Sequence, residues 1–490
     1  MKKRSLTLLL ALVVVAGCST NPATGKREFN IVSEQQEIAI GRQAHQQVEQ
    51  EFGVYTEKPE LTRRVQEVGA RLAANSDRPN LPWHFTILDT PMVNAMALPG
   101  GYVYITRGML ERINSDDELA GVLGHEITHV TARHAAEQIS RSQLAQFGLV
   151  LGAVVAGPEA AQQYGQLAQV GLQLLFQKYS RSQESQADRI GTKYVAESGF
   201  NPIGSERMLM TLARMDTGPS SPVDRYFASH PDPAKRVRDV KNEVQQLRAE
   251  GIGNYDEPVR ARYVPLVDGI ITGNSTQRVV IRDGTIYDRE HGLIIRAPSG
   301  WQPVTQPGLL FAMEPNSNRS GANFVAQEVE NKNLQGRNAQ DAIRSKLQQM
   351  GLRYVGSREA STRSGQRFPI DVWTGQTQSG PVGVETTQFP HGDHVAVFMF
   401  ITPGGVSRTQ SPLGTILENT TEDLTKARAV APPRLDVRNV RRGESWSDLA
   451  RAATGNPKDA KAVANINGFD PTTPPPAGMP VKLPSAIAQP

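Results

Sequence analysis

A chain of 490 residues is too long for one ordinary hydrophobic core and predicts two to four domains. With 38% hydrophobic and 21% charged residues it has a globular composition, which excludes a disordered or fibrous chain. Lys2, Lys3 and Arg4 are the only charges of the first twenty residues; without them Lys plus Arg falls from 53 to 50 against 49 acids, and a net charge of +1 gives no argument for nucleic acid.

The opening residues MKKRSLTLLLALVVVAGCST have a basic start, an apolar run from Leu6 to Ala16 and small residues before Cys18. This pattern predicts a secretory signal over residues 1–17, and the run is too short for an ordinary membrane-spanning helix. Val15-Ala16-Gly17-Cys18 resembles a bacterial lipobox, which implies cleavage before Cys18 and lipidation of its sulfur and amine. Cys18 is the only cysteine, so disulfides are excluded and a lone exported thiol finds its explanation in the lipid. Ser19 rather than Asp at the next position favours outer-membrane sorting, and several acyl chains together would anchor the chain stably.

Residues 18–30, with Asn21 to Lys26 at their centre, are expected to form a tether. Apolar spacing then predicts amphipathic scaffold helices from Ile31 to about Phe52 and from Leu61 to Ala74. Val93 to Ile105 reads as two extended runs joined at Pro99-Gly100-Gly101, a hairpin. Beside a metal site such a strand can hold a peptide by main-chain hydrogen bonds; its spacing equally fits a buried structural hairpin.

Ser115 with Glu118 three residues on is a capping pattern, so a helix should begin near Asp116. Leu119, Val122 and Leu123 give it a core stripe. On that helix stands His125-Glu126-Ile127-Thr128-His129. Positions i and i+4 lie one above the other, so His125 and His129 can offer ring nitrogens to one Zn²⁺, with Glu126 beside them as general base. A zinc ion can lower the pKa of a water to about 7, which points to peptide hydrolysis. His134 lies off the ligand face and is expected to pack or hydrogen-bond. The apolar segments Leu144 to Gly157 and Leu167 to Phe176 are too short to span a bilayer and fit either core helices or a movable cover.

Two ligands leave zinc short. In Ser182-Gln183-Glu184-Ser185-Gln186-Ala187-Asp188 the two acids sit one helical turn apart on one face, so Glu184 can complete a His₂Glu set while Asp188 orients a ligand histidine. Spacing alone also fits two solvated helix acids. In Ser229-His230-Pro231-Asp232-Pro233 the proline holds His230 in an extended loop, from which it can approach the metal as a displaceable ligand, donate to an oxyanion, or simply face solvent.

NAMALPGGYVYITRGML, HEITH, ESQAD and SHPDPAKR stand in the order and spacing of the gluzincin metallopeptidase family that includes the CAAX prenyl protease, HtpX and the periplasmic protease BepA. The resemblance covers roughly residues 31–250. It implies a mostly helical metallopeptidase domain, here bounded at 31–262, with one zinc on His125, His129 and Glu184, Glu126 as catalytic base and Asp188 as the partner of a ligand. It further implies a substrate-binding edge strand around Asn94, Ala95, Met96 and Ala97, and places His230 and Arg236 in the site. The multi-span helices of the membrane members are absent, which with the lipobox points to the periplasmic lipoprotein branch.

Beyond Gly251 the composition changes. Extended runs at Arg278 to Arg282, Gly292 to Ala297 and His394 to Thr402, with helices expected at Ala339 to Met350 and Leu413 to Lys426, predict a small α/β domain with an antiparallel sheet over 270–428. His291, His391 and His394 lack partners at useful spacing, so no site is expected there. Over 432–485 the strand at Leu435 to Val440, helices near Ser445 and Pro457 to Ile466, and a strand at Met479 to Leu483 make a βααβ plan. It resembles a LysM module, with Glu444-Ser445 where Asp-Thr is usual, and implies affinity for peptidoglycan. The fold class is thus multidomain α+β.

Together these features predict an outer-membrane lipoprotein facing the periplasm that hydrolyses unfolded or misassembled envelope proteins. Two alternatives stand beside it: a cell-wall-binding chaperone or assembly factor with a silenced metal site, and a peptidoglycan peptidase.

Overall fold

The computed structural model describes residues 18–142, 178–216, 223–306, 309–315, 322–330, 338–377, 380–405 and 412–485. The expected signal over 1–17 and the apolar segments at 144–157 and 167–176, including the expected cover, lie outside the described residues, as does the side chain of Cys18. No helix among the described residues is long and apolar enough to cross a membrane. Helices and sheets are both abundant, an α+β composition, and the chain forms two compact units. One comprises Met1–Ile270 together with Leu435–Pro490; the other is Ile271–Arg434, inserted between them in sequence.

In the first unit the expected tether is instead folded. Strands β1 (Cys18–Thr20) and β2 (Arg27–Phe29) pair antiparallel, and Asn21 Nδ2 between them donates 2.7 Å to the carbonyl of Ala132, just past the histidine motif. Helices α1 (Glu34–Phe52) and α2 (Pro59–Ala74) follow the expected amphipathic pattern; Ser33 caps the first with a complete capping box. They pack around a three-stranded sheet ordered β3-β5-β4, with β3 at His84–Leu88, β4 at Ala95–Leu98 and β5 at Tyr102–Thr106. The hairpin turn needs its glycines: Gly100 and Gly101 have φ of +82° and +102°, and a Cβ on Gly100 would lie 2.6 Å from Ile38 Cα.

Helix α3 (Asp116–Thr131) starts where Ser115 Oγ accepts from Glu118 N. The Glu118 carboxylate turns to Asn114 N, 2.8 Å away, so only half of a capping box forms. From Glu118 to Thr131 every residue of this helix is buried, so it is the central rod of the unit. Helix α4 (Arg181–Glu197) crosses it, followed by α5 (Ile203–Met215) and α6 (Pro233–Ala249). At the crossing Gly124 faces Gly191, and a Cβ on Gly191 would come within 2.9 Å of Gly124 C and O and of His125 N. Backbone thus meets backbone one residue before the first histidine.

The C-terminal segment has the βααβ order: β17 (Leu435–Asn439) pairs antiparallel with β18 (Pro480–Pro484), with helices α10 (Trp446–Thr454) and α11 (Ala460–Ile466) between them. Trp446, Leu449, Val463, Val481 and Leu483 form its core. Expected as a separate domain, it is packed onto the start of α3. Lys482, fully buried, donates to the carbonyls of Glu111 and Ile113 at 2.7 and 2.9 Å, and Arg260 Nη1 reaches the Asn467 carbonyl at 2.9 Å.

The second unit holds a seven-stranded antiparallel sheet in the order β12 (Arg353–Ser361), β13 (Arg367–Thr377), β14 (Gly380–His391), β15 (His394–Pro403), β11 (Asn323–Glu330), β10 (Phe311–Pro315) and β9 (Trp301–Val304). Its four-stranded sheet runs β16 (Thr420–Glu422), β8 (Leu293–Arg296), β7 (Thr285–Asp288) and β6 (Val279–Arg282). Phe311, Phe324, Phe398, Ile286 and Ile295 lie in the core that joins them. The strands expected near 278–282, 292–297 and 394–402 are present, as is the helix Ala339–Gln349. The single helix expected over Leu413 to Lys426 is not: the chain forms Pro412–Glu418, then strand β16 (Thr420–Glu422), then Leu424–Ala429. Thr420 and Thr421 pair with Ile295 and Ile294 on β8, so pairing with a sheet edge overrides the helical pattern.

A candidate metal centre

One turn of α3 separates the two motif histidines, and their Nε2 atoms lie 3.1 Å apart. The crossing of α4 brings Glu184 to them, its Oε1 3.6 Å from His129 Nε2 and its Oε2 3.7 Å from His125 Nε2. His230 enters from the loop before α6, with Nδ1 3.0 Å from Glu184 Oε1 and 3.3 Å from His125 Nε2. Asp232, in the left-handed region at φ +69° between two prolines, makes the turn that lets both His230 and Arg236 reach the centre. Among the described residues these four side chains form a buried group that can hold a metal ion.

Neighbouring groups decide which ring nitrogens face inward. His125 Nδ1 lies 3.0 Å from Asp188 Oδ1, and a carboxylate only accepts, so Nδ1 carries the hydrogen and Nε2 a lone pair. Gln186 Oε1 lies 3.1 Å from His134 Nε2, and His134 Nδ1 lies 2.8 Å from His129 Nδ1. With the amide oxygen accepting from His134 Nε2, His134 Nδ1 accepts from His129, and His129 Nε2 also points a lone pair inward. Two imidazole lone pairs and a carboxylate converge without a proton between them. That donor set fits a divalent cation such as zinc.

Arg236 fixes the outer layer. Its Nε and Nη2 donate to the two oxygens of Asp188 at 2.8 and 2.7 Å, and Nη1 lies 3.0 Å from Glu184 Oε2. Burial would raise the Asp188 carboxyl, but the guanidinium holds it well below the usual carboxylate range. Glu184 is likewise held below its usual range, because His230 and Arg236 outweigh burial. Burial lowers His129, with His125 adding to the effect, so the ring stays neutral and available as a donor.

Glu126 differs from these acids. Its carboxylate is buried, neither oxygen has a hydrogen bond among the described residues, and burial pushes its pKa up. His230 Nε2 lies 3.8 Å from its Oε1. A buried, unbonded carboxylate beside a cation site is placed to take a proton from a water.

The expected substrate strand β4 is an edge of its sheet, paired to β5 from Ala95↔Ile105 to Leu98↔Tyr102. Asn94, Ala95, Met96 and Ala97 are all buried. Asn94 spends its polar groups on the hairpin, with Oδ1 accepting from Ala95 N and its carbonyl from Thr106 N. Met96 and Leu98 pack into the core with Val48 and Phe52, whereas Ala97 and Leu98 line a cavity with His129 and Tyr179. Tyr179 stacks on His129, ring centroids 3.7 Å apart, and Tyr226 lies against His230. Sequence reasoning gave neither tyrosine a place; only their proximity to Ser180 and His230 in the chain hinted at one.

The model of peptidase family M48 matches residues 59–244, a span that contains every residue of this centre. The chain is 32% identical over 260 residues to the beta-barrel assembly-enhancing protease of Yersinia pestis, covering 49% of this chain and 52% of that one. With its Escherichia coli K12 namesake it shares 28% over 264 residues, 51% of this chain and 53% of that one. The mitochondrial metalloendopeptidase OMA1 of Schizosaccharomyces pombe is 30% identical over 234 residues, which cover 47% of this chain and 67% of the relative. The chain therefore spans about half the length of the two bacterial relatives. The matched span, its HExxH helix and the downstream glutamate agree: the chain belongs to peptidase family M48.

Proposed function

We propose that the chain is a zinc metalloendopeptidase that cleaves unfolded or misassembled polypeptides of the bacterial envelope. The observation that carries this reading is the convergence of His125, His129 and Glu184 next to a Glu126 carboxylate that has no hydrogen bond among the described residues. A zinc ion held by those three groups would supply Lewis acidity, making a water more acidic and polarising the scissile carbonyl. Glu126 takes the water's proton on a carboxylate oxygen and passes it to the leaving amine. Asp188 and Arg236 keep His125 in the tautomer that offers Nε2, and His134 does the same for His129. The edge strand β4 holds the substrate backbone through Asn94 to Ala97.

His230 has two candidate roles, a displaceable fourth ligand or an oxyanion donor. Its Nδ1 lies among the ligand atoms, which favours the first: it holds the position a substrate carbonyl would take and silences the resting site. The same observation lends support to the second reading, a chaperone whose metal site is permanently closed.

Lipidation of Cys18 would anchor the protein to the outer membrane facing the periplasm, and the βααβ module would bind peptidoglycan; the lipobox and the LysM-like sequence are their supports. The relatives, a protease and a metalloendopeptidase by name, support polypeptide over glycan-linked peptide as substrate. Glu126→Gln separates the readings. It should keep its zinc and lose cleavage of an unfolded test protein by about 10²-fold or more; cleavage equal to wild type rejects the enzyme, and full complementation of a deletion strain supports the chaperone.

A further inference from the structure

The second unit brings together histidines that the sequence left without partners. His291 stands in the turn after strand β7 (Thr285–Asp288), Glu328 on β11 (Asn323–Glu330), and His391 and His394 flank the two-residue turn between β14 (Gly380–His391) and β15 (His394–Pro403). His391 and His394 are opposite partners in the antiparallel register, so both rings stand at the same end of the sheet. His291 Nδ1 lies 3.1 Å from Glu328 Oε1 and its ring centroid 4.1 Å from that of His394. Ligand atoms of His291, Glu328 and His394 all lie within 4.8 Å of one another, with the three residues half-buried.

Several polar atoms here are buried without a hydrogen bond among the described residues: Asp288 Oδ2, Glu328 Oε1 and His391 Nε2. Each nevertheless has a charged or ring partner within 3.5 Å at an angle outside good hydrogen-bond geometry, so these carboxylates and imidazoles crowd one another without fully satisfying one another. Asp288 Oδ2 stands 3.5 Å behind His291 Nδ1, and His391 Nε2 stands 3.0 Å from Glu328 Oε1, so both brace the two central groups. Arg278 closes one side, touching Glu328 Oε2 and lying 3.2 Å from His291 Nδ1. It is also paired with Asp288 and Glu290 at 3.4 and 3.1 Å, so it keeps two carboxylates if a cation takes Glu328 Oε1. Arg289 and Arg428 line the opening beside Arg278 and direct their guanidinium donors to main-chain oxygens of Gln277 and Arg289.

We propose that His291, His394 and Glu328 form a second metal site, one that takes a divalent transition-metal ion of the zinc class and ties the four-stranded sheet to the seven-stranded one. Two imidazoles and one carboxylate suit such an ion better than Mg²⁺ or Ca²⁺, which prefer oxygen. Three protein ligands leave a coordination position open, so the ion is exchangeable and accessible from solvent. His391 is a positioning residue that acts through Glu328.

The test is metal counting on the full chain, stripped with chelator and titrated with Zn²⁺ or Co²⁺. Wild type should bind two equivalents. The double variant His291→Ala/His394→Ala should bind one and keep wild-type proteolysis, since neither residue belongs to the peptidase centre. His129→Ala should bind Co²⁺ with the visible absorption of a low-coordinate site, and adding His291→Ala/His394→Ala to it should abolish that signal. Circular dichroism establishes that each variant is folded, and Glu328→Gln, which keeps shape and loses charge, replaces any that is not. One equivalent in wild type, lost with His129→Ala and untouched by the changes at His291, His394 and Glu328, would overturn the proposal.

Discussion

In the proposed mechanism Glu126 and His230 mark the two ends of what single side chains do in the M48 centre, one taking the water's proton and one standing where the substrate must enter. A group that occupies its own active site lowers the competent fraction, and minor states of 0.1–10% are ordinary. His230→Ala should therefore raise cleavage of an unfolded protein by about tenfold or more, read as initial rate at fixed zinc. A fall of about 10²-fold or more would assign His230 to the oxyanion instead. At this scale the sequence was most informative where chemistry demands adjacency: HExxH on one helix, and Glu184 with Asp188 one turn apart. It said least about His134, whose part depends on its ring, three residues past the end of α3, meeting Gln186 of α4 while touching His129.

Between helices, the decisive contact is the crossing of α3 and α4 at Gly124 and Gly191. Because the two backbones touch there, Glu184, two turns before Gly191 on α4, reaches the histidines of α3. A methyl group on Gly191 has nowhere to go but into the α3 backbone. Gly191→Ala should cost about 1–3 kcal/mol in stability and, by moving Glu184 about 1 Å, about 10²-fold in activity; an unchanged melting temperature and rate would show the crossing to be looser than described. Gly191 looks unremarkable in sequence, since a helical glycine reveals its purpose only beside its partner. The broken helix at Leu413 to Lys426 has the same cause: Thr420 to Glu422 follow the edge of β8 and not their own spacing. Likewise His291, Glu328 and His394 come from one turn and two strands distant in the chain, and no local period could have announced their meeting.

For the whole molecule, the C-terminal βααβ segment is a structural part of the peptidase unit. The number and order of its elements were legible, whereas its docking was not, because Lys482 on an alternating strand reads as a solvated face. Burial lowers the Lys482 amine well below its usual range, and its two carbonyl partners lie in the turn that leads into α3. Lys482→Met keeps the aliphatic stem and leaves both carbonyls bare. It should lower stability by about 2 kcal/mol, seen as a lower denaturant midpoint; an unaltered midpoint would mean that the module merely rests on the peptidase.

The central claim, that His125, His129 and Glu184 hold the ion on which peptide cleavage depends, is tested most directly by returning zinc to the chelated protein while following cleavage of an unfolded polypeptide. Wild type should be silent without zinc and regain its full rate as zinc is added, while Glu184→Gln should need far more zinc for any recovery. Full-rate cleavage by the chelated protein, or a Glu184→Gln response identical to wild type, would contradict the account.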